Sequence, residues 1–131
     1  MVSRSEDWLR QAARDLEFAK KALEDGFYEW ACLIAHQAAE KAVKALHLRL
    51  GNEAWGYSVS RLLLALPEES SPPRELVERA KELDQHYIPS RYPNAHPGGA
   101  PMDYYTREQA ERAVSYAGEI LEWVRGKVVQ A

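Results

Sequence analysis

One arginine and one histidine, Arg91 and His96, stand five positions apart in the segment HYIPSRYPNAHPGGAPMDYY, and these two residue types together can act on a phosphodiester. An imidazole with an ordinary pKa of ~6.5 accepts or gives a proton near neutrality, and a guanidinium holds the growing charge of a phosphoryl transition state with a fork of hydrogen bonds. Cleavage of RNA asks for a base to activate the 2′-hydroxyl, an acid for the leaving oxygen and a cation for the phosphorane. One arginine and one histidine per subunit, doubled in a symmetric dimer, supply all three. Extended backbone advances ~3.3 Å per residue, so a straight run from Arg91 to His96 holds the side chains too far apart to share one phosphate within a chain. Either the chain turns back at Pro93-Asn94, or the site is completed across a two-fold axis.

A second pair, Arg79 and His86, has the spacing of about two helical turns and would share one side of a helix. Pairs at such spacings arise readily by chance, and the ordinary alternative for each is a surface arginine with a structural histidine. Other chemistries lack their residues: there is no phosphate-cradling glycine loop, no nucleophile elbow, and no His-x-x-x-His or cysteine pair with metal spacing. No metal site and no tightly held cofactor is expected. The remaining polar residues read as structure. His36 and Gln37, in an alanine-rich stretch, are expected to form a buried hydrogen-bonding pair, and His47 to stabilise the last carbonyls of its own helix. Glu40, Lys41 and Lys44 have the spacing of a solvated face with one i,i+4 ion pair.

The segment from His86 to Tyr105 must position the first pair. It holds four of the seven prolines and four of the seven tyrosines in twenty residues. Loops longer than ~12–15 residues without structure of their own are uncommon and usually functional or disordered, and this one is too aromatic for a disordered linker. Tyr92, Tyr104 and Tyr105, with Asn94 at the turn, are candidate substrate-binding residues. Aromatic rings in a proline-stiffened loop, Tyr87 included, can stack on bases or anchor the loop to the body of the protein.

Helices flank that segment. Leu9, Ala12, Ala13, Leu16, Ala19 and Leu23 recur at helical spacing, with Ser3 and Glu6 in capping-box register at the start and Gly26 as a left-handed stop. A second helix runs from Tyr28 to Leu50, before Gly51, and the short connection predicts antiparallel packing. Its alanines permit a close crossing with a neighbour. A short helix through Val59, Leu62, Leu63 and Leu66 stops at Pro67, and another starts at Ser71 with Pro72 in the first helical position and runs to about Gln85. The last begins at the Thr106/Gln109 capping box and extends through Val128. No alternating strand pattern competes, so the fold class is all-α, an up-and-down bundle of four to five helices in one domain spanning 1–131.

Composition narrows the function. A net charge of −3 and a pI near 5.8 exclude a protein that grips nucleic acid by bulk electrostatics, because such affinity comes from many lysine and arginine contacts to phosphate. The opening MVSRSEDWLRQ carries charges where a signal peptide needs an apolar core, and the longest apolar run, Trp30 to Ala35, is far short of the ~20 residues of a membrane span. A cytoplasmic location without membrane contact is expected. Cys32, the single cysteine, lies among aliphatic residues and reads as packing. Trp8, Trp30 and Trp123 lie on or beside apolar stripes and read as core or dimer packing.

The combination of HQAAEKAVKALHLRLG, RYPNAHPGG and YYTREQAERA resembles the small prokaryotic HEPN family, the higher-eukaryote and prokaryote nucleotide-binding domain, over nearly the whole chain. The resemblance implies a dimeric four-to-five-helix bundle, often encoded beside a minimal nucleotidyltransferase as a toxin–antitoxin pair. In many members it implies a metal-independent endoribonuclease with an Arg-x4–6-His motif near the start of the final helix. Arg91-x4-His96 matches that motif in spacing and place, whereas Arg79-x6-His86 lies too early. In catalytic members the motif sits on a helix, and here Tyr92-Pro93 and Pro97-Gly98-Gly99 place it in a loop. Some members carry a tyrosine two residues after the motif histidine that the nucleotidyltransferase adenylylates; this chain has Gly98 there. The resemblance therefore implies a ribonuclease toxin subunit with catalytic Arg91 and His96. The alternative is a non-enzymatic module that binds a nucleotide such as ATP or docks the nucleotidyltransferase.

Overall fold

The computed structural model describes residues 4–131, which form α1 (Ser5–Glu24), α2 (Tyr28–Arg49), α3 (Val59–Leu64), α4 (Arg74–Asp84), α5 (Pro101–Tyr104) and α6 (Arg107–Gln130), with no strand among the described residues. The all-helical reading is correct, and the one-turn α5 is an addition to it. The Ser3 half of the first capping box lies outside the described residues. Both long N-terminal helices end as their glycines require. Gly26 and Gly51 adopt φ of +84° and +83°, and the residues that follow, Phe27 and Asn52, donate back to the Ala22 and His47 carbonyls at 2.9 Å. At the start of α6, Thr106 Oγ1 accepts from Gln109 N and Gln109 Oε1 accepts from Thr106 N, the expected reciprocal cap.

α2 is the central helix, packed by α1, α6, α3 and α4. Its alanines at 31, 35, 38, 39 and 42 are all but inaccessible, so neighbouring backbones approach it from several sides. Val43 and Leu46 of α2 meet Ile120, Leu121 and Val124 of α6 in the same core. Because α2 is surrounded, even its polar face is covered. Lys41 Nζ bonds Asp15 of α1 at 2.7 Å and Lys44 Nζ bonds Glu40 at 2.8 Å, with all four side chains mostly buried. The face read as solvated instead lies against α1, where long lysine stems cover apolar surface and Lys44 Nζ sits 5.9 Å from the Trp8 ring. Trp30, by contrast, is exposed.

Two boundaries differ from the sequence reading. α4 begins at Arg74, not at Ser71, because Ser71 and Pro73 are held extended (ψ 128° and 149°) and a proline disfavours the helical conformation in the residue before it. The segment 86–105 is not a bare loop either: it contains successive turns, a 3-10 turn over Pro93–Ala95, and α5 with Pro101 at its first position. His47 also does a different task from the one expected. Its Nε2 bonds the Leu62 carbonyl at 2.8 Å, so it satisfies an end of α3 in place of its own helix. Among the described residues, no helix is long and apolar enough to cross a membrane.

Candidate functional site

Beyond α4 the chain folds back on itself. Ser90 N bonds the His86 carbonyl, Arg91 N and Tyr92 N bond that of Ile88, and the turn at Pro93–Ala95 returns His96 to Pro89, whose carbonyl lies 2.8 Å from His96 Nε2. The chain does turn at Pro93, and the turn carries His96 to the Pro89 carbonyl. A carbonyl can only accept, so this bond places the proton of a neutral ring on Nε2 and leaves Nδ1 as the basic nitrogen. The ring lies flat on Tyr104 (centroids 4.3 Å, 13° between planes), and the Tyr104 hydroxyl donates to the Gly98 carbonyl. Asp103 accepts from Ala100 N at 2.9 Å and holds the α5 turn that carries Tyr104.

Arg91 is fixed by the same segment. Its Nε donates to the Tyr87 carbonyl at 2.9 Å, and its guanidinium carbon lies 4.5 Å from the centre of the Tyr87 ring and 5.0 Å from that of Tyr92. Tyr57 stacks on Tyr87 at 4.0 Å and 8°. Two groups so close to one ring must take opposite faces, so Tyr57, Tyr87, Arg91 and Tyr92 follow one another in a column. Among the described residues no carboxylate pairs with Arg91 and no acceptor meets its terminal nitrogens, whereas Arg79 and Arg112 are engaged by Glu119 and Glu82. The Arg91 terminal nitrogens thus have no acceptor among the described residues.

A buried histidine flanks the column. His36 is fully buried, with its ring 5.4 Å from Tyr87 and 6.3 Å from Tyr57, and its Nε2 lies 3.3 Å from Asp84 Oδ1 without the geometry of a hydrogen bond. Asp84, the last residue of α4, grips the start of α3: it accepts from Val59 N (2.7 Å), Ser60 N (3.1 Å), Ser58 Oγ (2.9 Å) and Ser60 Oγ (2.7 Å). Burial alone would raise its pKa, but the His36 imidazole and the Ser60 and Val59 donors outweigh it and hold the carboxyl below its ordinary value. One carboxylate therefore ties the start of α3, just after Tyr57, to the end of α4, just before Tyr87. His36 pairs with Asp84 across the fold and not with its chain neighbour Gln37.

The other candidates are dispersed. Tyr92 is half exposed at the end of the column, and Asn94 is exposed on the 3-10 turn. Tyr105 turns inward, packs against the core and meets His86 Nδ1 at 3.0 Å with its hydroxyl, which makes it the anchor of the segment. Arg79 is tied at the surface to Glu119 at 2.7 Å while His86 is buried, so that pair faces no common site. Cys32 is inaccessible, and burial pushes its thiol up to about 12, which keeps it protonated and inert.

Burial also pulls the His86 pKa down to about 4, so the folded protein holds it neutral where an unfolded chain protonates it near ~6.5. Its contribution is complete above ~6.5, declines as pH falls towards 4, and changes no further below that, a loss on the order of 3 kcal/mol. Denaturant unfolding at pH 7.5 and 4.5 is expected to show this loss in the wild type and a flatter profile in His86→Gln; equal slopes would contradict it.

The sequence profile of the HEPN domain matches residues 5–127. The chain belongs to the HEPN domain family. Three solved structures resemble this HEPN domain closely: TT1696 from Thermus thermophilus (50% identity, TM-score 0.94, covering 96% of this chain and 99% of that one), the archaeal HEPN homologue ST0689 (44%, 0.82, 97% and 99%) and a HEPN domain protein from Thermotoga maritima (42%, 0.79, 95% and 99%). A Methanocaldococcus jannaschii protein named "Putative toxin MJ1304" is 28% identical over 127 residues, 90% of this chain and 84% of that protein.

Proposed function

We propose that this HEPN domain is a toxin-type, metal-independent endoribonuclease whose Arg91 and His96 act together in a homodimer. One observation carries the reading: the fold-back seats both side chains on carbonyls of the Tyr87–Pro89 stretch, leaving the Arg91 fork and His96 Nδ1 without partners among the described residues. Nδ1 of a neutral His96 takes the 2′-hydroxyl proton as that oxygen attacks phosphorus, and Arg91 holds the non-bridging oxygens of the phosphorane. The P–O5′ bond breaks, and an imidazolium, the second His96 of the dimer, gives its proton to the leaving oxygen. The products are a 2′,3′-cyclic phosphate and a 5′-hydroxyl. A minimal nucleotidyltransferase restrains the toxin in the cytoplasm. No metal enters this scheme. Among the described residues, no group of three or more histidine, cysteine, aspartate or glutamate side chains is arranged to hold one.

A second reading, a module that binds RNA or a nucleotide such as ATP without turnover or that docks the nucleotidyltransferase, draws on the column itself, which offers rings for stacking and does not include His96. Product analysis separates the two. Incubating labelled RNA with the protein in EDTA is expected to give fragments ending in 2′,3′-cyclic phosphate. Saturable binding with intact RNA would replace the first reading by the second.

A further inference from the structure

Resting on the reading above, we propose that the place filled by Tyr57, stacked on the Tyr87 ring and beside the buried His36, is the subsite for an unpaired nucleobase with an amino group on its pairing edge, adenine or cytosine, with Tyr57 as its stand-in. His36 is fully buried and, while its Nε2 faces Asp84, its Nδ1 has no hydrogen-bond partner among the described residues, a state a folded protein rarely tolerates without a purpose. Asp84 Oδ1, 3.3 Å from Nε2, favours the tautomer with its proton on Nε2. Nδ1 is then an acceptor in want of a donor.

The place beside it suits a base. Tyr57 lies parallel to Tyr87 with ring centres 4.0 Å apart, in a stacked arrangement that a base can also adopt, and its centroid is 6.3 Å from that of His36. An exocyclic amine donating to an imidazole nitrogen over ~2.9 Å sets the two ring centres roughly 6–7 Å apart, so a base in the position of Tyr57 would reach His36. Uracil presents a carbonyl oxygen where cytosine presents its amine, and so meets acceptor with acceptor. Asp84 holds the residues that follow Tyr57 and not Tyr57 itself, which is free to leave the stack. It is 46% exposed, its hydroxyl has no hydrogen-bond partner among the described residues, and it follows Gly56, whose φ of +94° lies in the region glycine visits freely. On the far side of Tyr87, Arg91 is placed to hold a phosphate of the same strand.

The test uses 2′-O-methyl hexanucleotides of adenine, cytosine and uracil, which cannot be cleaved, with affinities from fluorescence anisotropy. The wild type is expected to bind the adenine and cytosine probes at least about tenfold more tightly than the uracil probe, and His36→Leu to lose that preference. Tyr57→Ala, a surface change, is expected to bind the adenine probe several-fold more tightly, since the stand-in no longer has to be displaced; a merely structural stack predicts the opposite. Equal affinity for the three probes, or weaker binding by Tyr57→Ala, overturns the subsite. If binding is strong and falls alike for all probes in Arg91→Ala but shows no base preference, the subsite alone fails. Preference without cleavage of unmodified RNA leaves the subsite standing and removes the nuclease reading, and no binding of any probe overturns both.

Discussion

Arg91→Lys is expected to lower RNA cleavage by about 10²-fold or more, although the positive charge remains. The Arg91 guanidinium is planar and lies between two tyrosine rings at 4.5 and 5.0 Å, with Nε on the Tyr87 carbonyl. Those contacts hold the guanidinium against two rings and use one nitrogen, which leaves its terminal nitrogens for another acceptor. A lysine ammonium is a point charge on a flexible stem; it neither fills a layer of the stack nor presents two parallel donors to a phosphate. Because Arg91 is partly exposed and touches only segments that leave the main core, the thermal midpoint should move by no more than a few degrees. Cleavage rates on a defined single-stranded RNA, with circular dichroism as the folding control, check this. Activity within two- to threefold of the wild type would mean that Arg91 acts as a simple charge or not at all.

Asp84→Ala carries the largest expected stability effect, about 3 kcal/mol, or roughly 10 °C in the thermal midpoint. The substitution removes the acceptor for two backbone N–H groups and two hydroxyls at the start of α3 and leaves the buried His36 without its carboxylate neighbour. Asp84→Asn, which keeps one acceptor oxygen, should cost about half as much. Since the folded-state pKa is lowered, the ionised Asp84 contributes its stability above the ordinary carboxylate value of ~3.9 and loses it as pH falls through its own lower value. Acid sensitivity of the wild type should therefore come in two windows, the His86 arm between ~6.5 and 4 and the Asp84 arm below it, and Asp84→Ala should remove only the second. A midpoint change under two degrees in Asp84→Ala would show that the α3–α4 clasp is idle.

The long helices are plain in the sequence, because periodicity, Gly26, Gly51 and the Thr106/Gln109 cap are all local signals. Where a feature depends on the fold as a whole, local signals mislead. Lys41 and Lys44 look solvated by spacing, yet α2 is central and its polar face is covered by α1. The start of α4 is displaced because the preference of proline for a first helical turn competes with the restriction that Pro73 imposes on Pro72, and the restriction wins. Arg91 and His96 are visible as residue types, and the turn that brings His96 to Pro89 is one of two geometries open in the sequence. The column is not visible at all. His36, Tyr57, Asp84 and Tyr87 come from separate stretches of the chain, and the only hint is Ser58 in N-cap position before α3, which says nothing of the carboxylate that reinforces it.

His96 decides whether this site is a nuclease. Wild type and His96→Ala, matched by circular dichroism, should be compared side by side for cleavage of one labelled RNA in EDTA. A loss of about 10²–10⁴-fold in the variant, with the wild type leaving 2′,3′-cyclic ends, is the result predicted for a histidine that moves the proton. Equal cleavage by the two proteins would contradict it and place the chemistry elsewhere.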